Sequence, residues 1–339
     1  MLPDFTLLIP TFNRHKYLER ILKYYAPYQL KILVADSSAE PYKGYKSLHN
    51  VEYLHLPGEN LPQKTAFALM HITTKYVAMC ADDDFIIPDG IKECLAFLNS
   101  NPDFAAAQGN CLSYKKKLLV TGKLSFSVLY KRYLSYRISQ NDPFERAERL
   151  FDPYRTIFTA IHYTKNLRLA YNERIEIKNL FLSEYLSGII PIVMGKYIEL
   201  PVFYQVREYA EDSGDKTTAN LDLIIHNPQH REEYQVFLNY ISEIICRITG
   251  CAEAFANQRL QKIFYDFSQS LIPAHKKNKL LPLAKRAVIF LYKIPTVVKK
   301  GLLKIGKGPT IRWVIKKDKD KKNLEEISNL IKEYAQSTG

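Results

Sequence analysis

The sequence lacks any long apolar run, which argues against a helix that crosses a membrane. No stretch approaches the roughly 20 apolar residues that such a helix needs. The first five residues, Met1-Leu2-Pro3-Asp4-Phe5, carry an acid and a proline where a secretory signal peptide has a basic region. We therefore expect a cytoplasmic protein.

Cysteine is scarce and scattered. The 339 residues include five cysteines, with no CxxC pair and no Cys/His spacing of the kind that binds zinc. The number is odd and the spacing irregular, so neither a zinc site nor a disulfide framework is expected. Reduced, mostly buried thiols are the simplest interpretation, and they agree with a reducing compartment.

Positive charge is abundant, but it is confined to one part of the chain. The net charge is +13, and residues 270–322 hold 16 Lys and Arg against two Asp, which is 16 − 2 = +14. The remainder sums to 13 − 14 = −1, so the body is nearly neutral. No aromatic stacking module or recognition motif accompanies the basic residues, and we expect no nucleic-acid partner.

Within the basic segment, apolar and basic positions alternate, for example over 297–305. This mixture favours peripheral contact with anionic lipid, to which each basic residue contributes roughly 1 kcal/mol. The segment therefore predicts attachment to the inner face of the plasma membrane. A basic helical cap packed on the rest of the protein is the alternative.

Strand and helix patterns alternate along the first third of the chain. Such alternation predicts an α/β fold with a mostly parallel sheet and helices on both faces. We place this domain at 1–225 and a helical C-terminal region, with long amphipathic helices at 232–249 and 251–270, at 226–339. The middle region predicts a helix at 175–186, a core strand at 189–194 and a strand pair within 195–204. The strands of the first third are predicted at 5–10, 30–35, 51–55, 76–81 and 104–108, with helices near 15–25, 61–73 and 89–99.

Polar groups follow three of these strands, at Thr11–Arg14, Asp36–Ser38 and Asp82–Asp84. In open α/β sheets, ligands bind outside the carboxyl ends of the strands. We therefore expect the three groups to meet in one crevice. The loop at 211–218 is the best candidate for a lid over that crevice.

The third group consists of three consecutive aspartates. Carboxylates this close repel one another unless a cation neutralises them, and oxygen ligands suit Mg²⁺ or Mn²⁺. Such ions usually also hold substrate phosphates, so the cluster predicts a metal–diphosphate site. A solvated acidic turn is the alternative.

Four motifs follow one another in the N-terminal part: Ile9-Pro10-Thr11-Phe12-Asn13-Arg14, Asp36-Ser37-Ser38, Gly58-Glu59-Asn60, and Ala81-Asp82-Asp83-Asp84 with Pro88-Asp89. In this order they resemble the motifs of inverting GT-A glycosyltransferases of family 2. The resemblance implies a GT-A fold and a nucleotide-sugar donor. The chain departs from the family pattern at Ala35, Ser37 and Leu61.

The resemblance also implies residue roles. Asp36 would bind the nucleobase, Arg14 would lie close to phosphate, and Arg207 would contact diphosphate. Asp83 would bind Mn²⁺ or Mg²⁺, with Asp84 as a second metal ligand. Alternatively, Asp82 or Asp84 would bind the ribose or a metal-bound water. The full predicted donor site comprises Pro10, Thr11, Asn13, Arg14, Asp36, Ser38, Lys64, Asp82, Asp83 and Arg207.

An inverting transfer needs a general base to take the proton of the acceptor hydroxyl. Family 2 resemblance places it on a later helix, where Glu184 is our prediction, with Asp152 and His162 as weaker candidates. The implied reaction moves a sugar, most simply from a UDP-sugar, to a glycan or lipid-linked acceptor in bacterial surface polysaccharide synthesis. An inactive scaffold or glycan-binding module is one alternative. A sugar nucleotidyltransferase is another, although the first strand is not followed by the glycine-rich loop it would need.

Overall fold

The computed structural model describes most of the chain, with gaps. The predicted lid at 211–218 and residues 272–314 of the basic segment lie outside the described residues. Those described are 2–115, 125–128, 136–172, 175, 177–208, 224–225, 230–271, 315 and 317–336.

The N-terminal third alternates strands and helices as its sequence pattern predicts. Asn60 caps one of the helices, accepting a hydrogen bond from the Gln63 backbone while the Gln63 side chain reaches back to the Asn60 backbone. The elements are β1 (Phe5–Thr11), α1 (His15–Tyr25), β2 (Lys31–Asp36), a 3-10 helix (Gly44–Ser47), β3 (Val51–His55), α2 (Leu61–His71), β4 (Tyr76–Met79), β5 (Phe85–Ile86) and α3 (Pro88–Ser100).

The remaining elements complete the sheet and cover both of its faces. They are β6 (Phe104–Lys115), β7 (Ser125–Val128), β8 (Arg137–Ile138), α4 (Pro143–Phe151), β9 (Ile161–Tyr163), α5 (Thr164–Ala170), α6 (Leu180–Met194), β10 (Lys196–Glu208), α7 (Arg231–Thr249), α8 (Glu253–Leu271) and α9 (Asp318–Gln336). Within the described part, no helix is long and apolar enough to span a membrane.

The ten described strands form one mixed sheet in the order β3-β2-β1-β4-β9-β6-β10-β5, with β7 beside β6 and β8 beside β10. The long strands run parallel, as β3-β2-β1-β4 on one side and β6-β10 on the other. The short strand β9 lies between these groups and is antiparallel to both neighbours. The predicted α/β fold with a mostly parallel sheet is confirmed.

Each face of the sheet has its own apolar core. Along β1 the side chains alternate: Leu7 and Ile9 belong to the core under α1, α3 and α9, whereas Leu8 belongs to the core under α2 and α4–α8. The helices α7 and α8 share the second core with α6. The predicted division of the chain at residue 225 stays a prediction.

Two predictions for the middle region are wrong. The helix expected at 175–186 begins at Leu180 and runs to Met194, so it includes the residues predicted as a core strand. Asn179 caps its start by accepting from the backbone of Phe181 and Leu182, and the apolar run is buried as helix because it packs among other helices. The strand pair expected within 195–204 is one strand, β10, with a register shift between Glu199 and Phe203.

The helix α9 lies in the C-terminal region that was predicted to be helical, but its bounds were not predicted, because its start lies in the lysine-rich run 316–322. Its apolar face still reaches the core, where Ile327 is fully buried and Ile331 nearly so. Ion pairs fix both ends, from Lys319 to Asp89 and from Lys23 to Glu333. The helix α9 therefore packs on α1 and α3, which begin shortly after β1 and β5.

Candidate functional site

The polar groups predicted to line one crevice meet where the parallel strands β1 and β4 end. Thr11, the last residue of β1, donates from its hydroxyl to Asp82 Oδ2 over 2.7 Å. Arg14 follows in the turn between β1 and α1 and reaches both Asp82 and Asp83. Pro10 lies inside β1, paired in register with Ala35 of β2, and does not enter the crevice with a polar group.

Arg14 is the cation of the acidic cluster. Its Nη1 lies 2.9 Å from Asp82 Oδ1 and its Nη2 lies 2.7 Å from Asp83 Oδ2. Its guanidinium also stacks on Tyr17, with Cζ 4.2 Å from the ring centroid. Burial lowers the pKa of Arg14, but Asp82 and Asp83 outweigh this and raise it above the usual value. One side chain thus partly neutralises two carboxylates.

The three aspartates occupy different environments. Burial raises the pKa of Asp82 to about 6, although Arg14 and the Thr11 hydroxyl favour its ionised form. Asp84 contacts β10: its Oδ2 accepts from Gln205 Nε2 and its Oδ1 from the Glu208 backbone, each over 3.0 Å. Burial and the charge of Asp83 hold the pKa of Asp84 well above its usual range.

A second polar group surrounds Asp36 at the end of β2. Its carboxylate accepts from the Ser38 backbone at 2.8 Å and from the Tyr53 hydroxyl at 2.5 Å, and His15 Nε2 lies 2.9 Å away. Burial alone would raise the pKa of Asp36, yet hydrogen bonds from Ser38 and Tyr53 lower it. The group is therefore built to keep an anion at this position.

Asn13 joins the turn after β1 to the turn after β2. Its backbone N–H donates to the Ser38 hydroxyl over 2.7 Å. Asn13 has a φ of 55°, in the left-handed region that asparagine tolerates better than most residues. An asparagine at this position of the first motif therefore suits the backbone conformation, in addition to its predicted role in binding the sugar donor.

Lys64 bridges the same two turns from α2. Its Nζ lies 2.5 Å from the Thr11 carbonyl oxygen and 3.0 Å from Ser37 Oγ. The residue is buried, and burial lowers the pKa of Lys64 to about 8, with Asp36 and Asp82 acting in the opposite direction. Lys64 therefore does not belong to a solvated face of α2.

Arg207 lies near the end of β10, and its charge acts on Asp84, whose pKa it lowers against the effect of burial and of Asp83. Its neighbour Glu208 belongs to a buried network that sequence reasoning did not identify. Arg20 donates to both Glu208 Oε2 and the Asp83 carbonyl oxygen. The burial of Arg20, though not its partner, could have been predicted from the sequence. Arg20 is three residues from Tyr17 and four from Tyr24, which places it on the apolar face of α1.

Glu184 lies in the second turn of α6, partly exposed, and its Oε1 accepts from the Tyr154 hydroxyl over 3.1 Å. The segment that carries Tyr154 also reaches the aspartates: Thr159 donates to Gln205 Oε1, and Gln205 donates to Asp84. The segment 154–159 therefore contacts Glu184 at one end and Gln205 at the other. The pairing with Tyr154 had no sequence signal.

The weaker candidates for a general base lie in other settings. His162 is fully buried in β9, its Nε2 is 2.9 Å from the Ile157 carbonyl oxygen, and burial lowers its pKa to about 4. Asp152 is exposed, and its carbonyl oxygen accepts from Arg149. The surroundings of His162 are those of a core residue.

The contacts of the three aspartates limit how they could bind a metal ion. Among the described residues, no group of three or more His, Cys, Asp or Glu side chains is arranged to hold a metal ion. Asp84 has a protein donor on each carboxylate oxygen, and Asp82 has Thr11 and Arg14. Mg²⁺ commonly takes only one or two carboxylates and completes its shell with waters and substrate phosphates. Among the described residues, Arg14 Nη2 is the contact of the Asp83 carboxylate, and Asp83 is therefore the aspartate that fits this arrangement.

Comparison with known proteins agrees with the motifs. Residues 6–164 match the family model described as Glycosyl transferase family 2. The solved structure of S. aureus TarS 1-349 in complex with UDP-GlcNAc is similar, with a TM-score of 0.51 and 16% identity over 99% of this chain and 91% of that one. A longer S. aureus TarS structure gives 0.50 and 15%, over 83% of this chain and 46% of that one. These likenesses show a shared fold. No curated protein matches the sequence.

Proposed function

We propose that this protein, whose residues 6–164 match the glycosyl transferase family 2 model, moves a sugar from a UDP-sugar to a glycan or lipid-linked acceptor in surface polysaccharide synthesis. One observation carries the proposal: Arg14, Asp82 and Asp83 meet at the carboxyl ends of parallel strands, where such sheets bind ligands. The choice of a UDP-sugar is supported by the solved TarS complex, whose ligand is UDP-GlcNAc.

The nucleoside half of the donor would lie over the β1 and β2 ends. Asp36 is held as an anion, and its Oδ1 would accept a second hydrogen bond from a base N–H beside that of the Ser38 backbone. Asp36 is buried, so the base would displace the groups that cover it, and Ser38 and Asn13 form the adjoining turn. Phe12 is 56% exposed beside this turn, although it is large and apolar. An exposed ring at the mouth of the crevice supports stacking of a base on Phe12, which is worth about 1–3 kcal/mol per base in nucleic-acid sites.

The diphosphate would lie among Arg14, Lys64 and Arg207. Arg14 has the planar donors suited to phosphate, and it would exchange part of its contact with Asp82 and Asp83 for phosphate oxygens. Lys64 offers a buried positive charge beside Thr11. Together these side chains would compensate the charge that grows on the leaving diphosphate.

A divalent metal, Mn²⁺ or Mg²⁺, is part of the proposal. Asp83 would hold it together with donor phosphates, and Asp82 would bind ribose or metal-bound water. Such an ion supplies Lewis-acid neutralisation of the leaving diphosphate. Asp84 is kept as a weaker candidate ligand, because both of its oxygens already accept from β10.

Glu184 would act as the general base. Its carboxylate takes the proton of the acceptor hydroxyl as that oxygen attacks the anomeric carbon, and the nucleotide leaves from the opposite side with inversion. The Tyr154 hydroxyl donates to one oxygen of Glu184 and so restricts the orientation of its carboxylate. The basic segment 270–322 would bring the enzyme to anionic lipid on the inner membrane face, where lipid-linked acceptors lie.

Thermal unfolding with a panel of nucleotides and nucleotide sugars, with and without Mn²⁺, tests the donor site. A ligand at about a hundred times its Kd stabilises a protein by about 2.7 kcal/mol, which a melting curve detects. We expect a shift with UDP-sugars that is lost in Asp83→Asn and retained in the exposed control Asp103→Asn. Transfer to acceptor should be lost in the same variant. No shift with any nucleotide would overturn the proposal, and a shift without transfer to any acceptor would favour the scaffold.

A further inference from the structure

We propose that the buried Arg20–Glu208 ion pair is a positioning device that holds the two sides of the donor site at a fixed separation. One side is the aspartate loop that follows β4, and the other is the end of β10 with Arg207. The inference rests on the proposed function and adds two positioning residues to it. Neither residue needs to touch the donor.

Arg20 hydrogen-bonds the backbone of the aspartate loop. Its Nη2 donates to the Asp83 carbonyl oxygen over 2.9 Å and to Glu208 Oε2 over 3.1 Å. The guanidinium lies near the rings of Tyr17 and Phe85, at 4.9 and 5.1 Å from their centroids, and the side chain is only 3% exposed. A planar cation stacked in this way has little freedom to turn.

Glu208 fixes the end of β10. Its fully buried carboxylate accepts from Tyr114 over 2.6 Å as well as from Arg20, and its backbone N–H donates to Asp84 over 3.0 Å. Successive strand residues point to opposite faces, so Arg207 faces away from this network. Holding Glu208 therefore sets the direction of Arg207, the side chain proposed to contact diphosphate.

Stability alone does not explain a pair of this kind. Removing two charges from water is expensive, and apolar residues of similar volume are often neutral or stabilising replacements. The Arg20–Glu208 pair joins α1, the aspartate loop, β6 and β10, elements that otherwise meet through separate contacts. An apolar pair of the same size would lack the directional hydrogen bonds to the Asp83 carbonyl oxygen and between Arg20 and the end of β10.

The double variant Arg20→Met/Glu208→Leu tests this, because it keeps volume and leaves no unpaired charge. A matched control exists in Arg155→Met/Glu199→Leu, which removes another buried pair with Nη1 2.8 Å from Oε2. The readouts are melting temperature, hydrogen exchange of the amides at 82–86 and 205–208, and the Kd for UDP-GlcNAc with Mn²⁺.

We expect the Arg20/Glu208 double variant to fold, with a melting temperature lowered by the loss of hydrogen bonds to the Tyr114 hydroxyl and the Asp83 carbonyl oxygen. It should exchange those amides at least tenfold faster than the control variant does, and bind the donor at least tenfold more weakly. The control should change neither readout at the site. Unchanged exchange in a folded double variant would overturn the inference. If Arg20→Met or Glu208→Leu alone fails to fold, the double variant still tests the positioning role. If the wild type binds no nucleotide, the proposed function fails, and the exchange measurement still tests the positioning role.

Discussion

The hydroxyl of Tyr154 donates a hydrogen bond to the carboxylate of Glu184, with 3.1 Å between Oη and Oε1. The two residues belong to different elements, the segment after α4 and the second turn of α6. Tyr154 is itself fixed by the ring of Phe151, stacked at 5.4 Å between centroids. This hydrogen bond restricts the orientation of the Glu184 carboxylate, and proton transfer to a general base requires a defined geometry.

The first prediction concerns this pair. Glu184→Gln should reduce kcat by about a hundredfold or more, since general bases contribute roughly 10²–10⁴ to rates. Tyr154→Phe should reduce kcat less, by about tenfold, because the carboxylate remains but loses its orientation. Both variants should bind the UDP-sugar with the wild-type Kd, measured by calorimetry. Wild-type turnover in Glu184→Gln would show that another residue is the base.

The second prediction is a pH dependence of donor binding that comes from Lys64. The folded-state pKa of Lys64 is about 8, below the ordinary value of 10.5. The unfolded chain therefore keeps this proton to higher pH, and the contribution of Lys64 to stability increases as pH rises from about 8 to about 10.5. A bound diphosphate favours the charged form, so binding should take up a proton. Affinity for UDP should fall about tenfold from about pH 7 to about pH 9.

Calorimetry with Mg²⁺ in buffers of different ionisation enthalpy measures that proton uptake directly. Lys64→Arg should remove the pH dependence, since an arginine stays charged throughout this range. Lys64→Met should also remove it, with weak binding at every pH. The exposed Lys16→Met should behave as the wild type does. A wild-type affinity that is constant over this pH range would exclude Lys64 as a diphosphate contact.

Sequence reasoning located the crevice because local patterns determine it. The short apolar strands predict a parallel sheet, and residues that directly follow them, such as Thr11, Asp36 and Asp82, must lie at its carboxyl edge. The polar partners were harder to foresee. Arg20 and Glu208 are 188 positions apart, and nothing in either local sequence indicates the other. Likewise, an apolar run such as 189–194 has no periodicity that separates a buried strand from a buried helix.

The third prediction uses two glycines with opposite surroundings. A Cβ on Gly90, in α3, would lie 2.6 Å from the Phe203 carbonyl oxygen, whereas one on Gly188, in α6, would meet nothing closer than 3.6 Å. Gly90→Ala should therefore lower the free energy of unfolding by about 1–3 kcal/mol, because α3 must move from β10. Gly188→Ala should raise it by up to about 1 kcal/mol through the lower backbone entropy of the unfolded chain. Urea unfolding measures both, and equal effects would contradict this packing.

The last prediction separates two neighbouring aspartates by stability and binding. Asp84 accepts from Gln205 and from the Glu208 backbone inside the protein, so Asp84→Ala leaves two buried donors without their acceptor. Each such loss costs about 1–3 kcal/mol, and we expect a fall of at least about 2 kcal/mol in the free energy of unfolding. Asp83→Asn keeps an oxygen for Arg14 and should change stability by less than about 1 kcal/mol.

Donor binding should show the reverse order. Asp83→Asn should lose the Mn²⁺-dependent part of UDP-sugar affinity, while Asp84→Asn, which retains an acceptor for the Glu208 backbone, should keep it. The Gln205 amide can turn its oxygen towards the new amide of Asn, so this variant is expected to fold. Retained metal dependence in Asp83→Asn together with its loss in Asp84→Asn would transfer the metal site to Asp84. In that case both hydrogen bonds from β10 to Asp84 would have to break when the UDP-sugar binds, and the end of β10 would move.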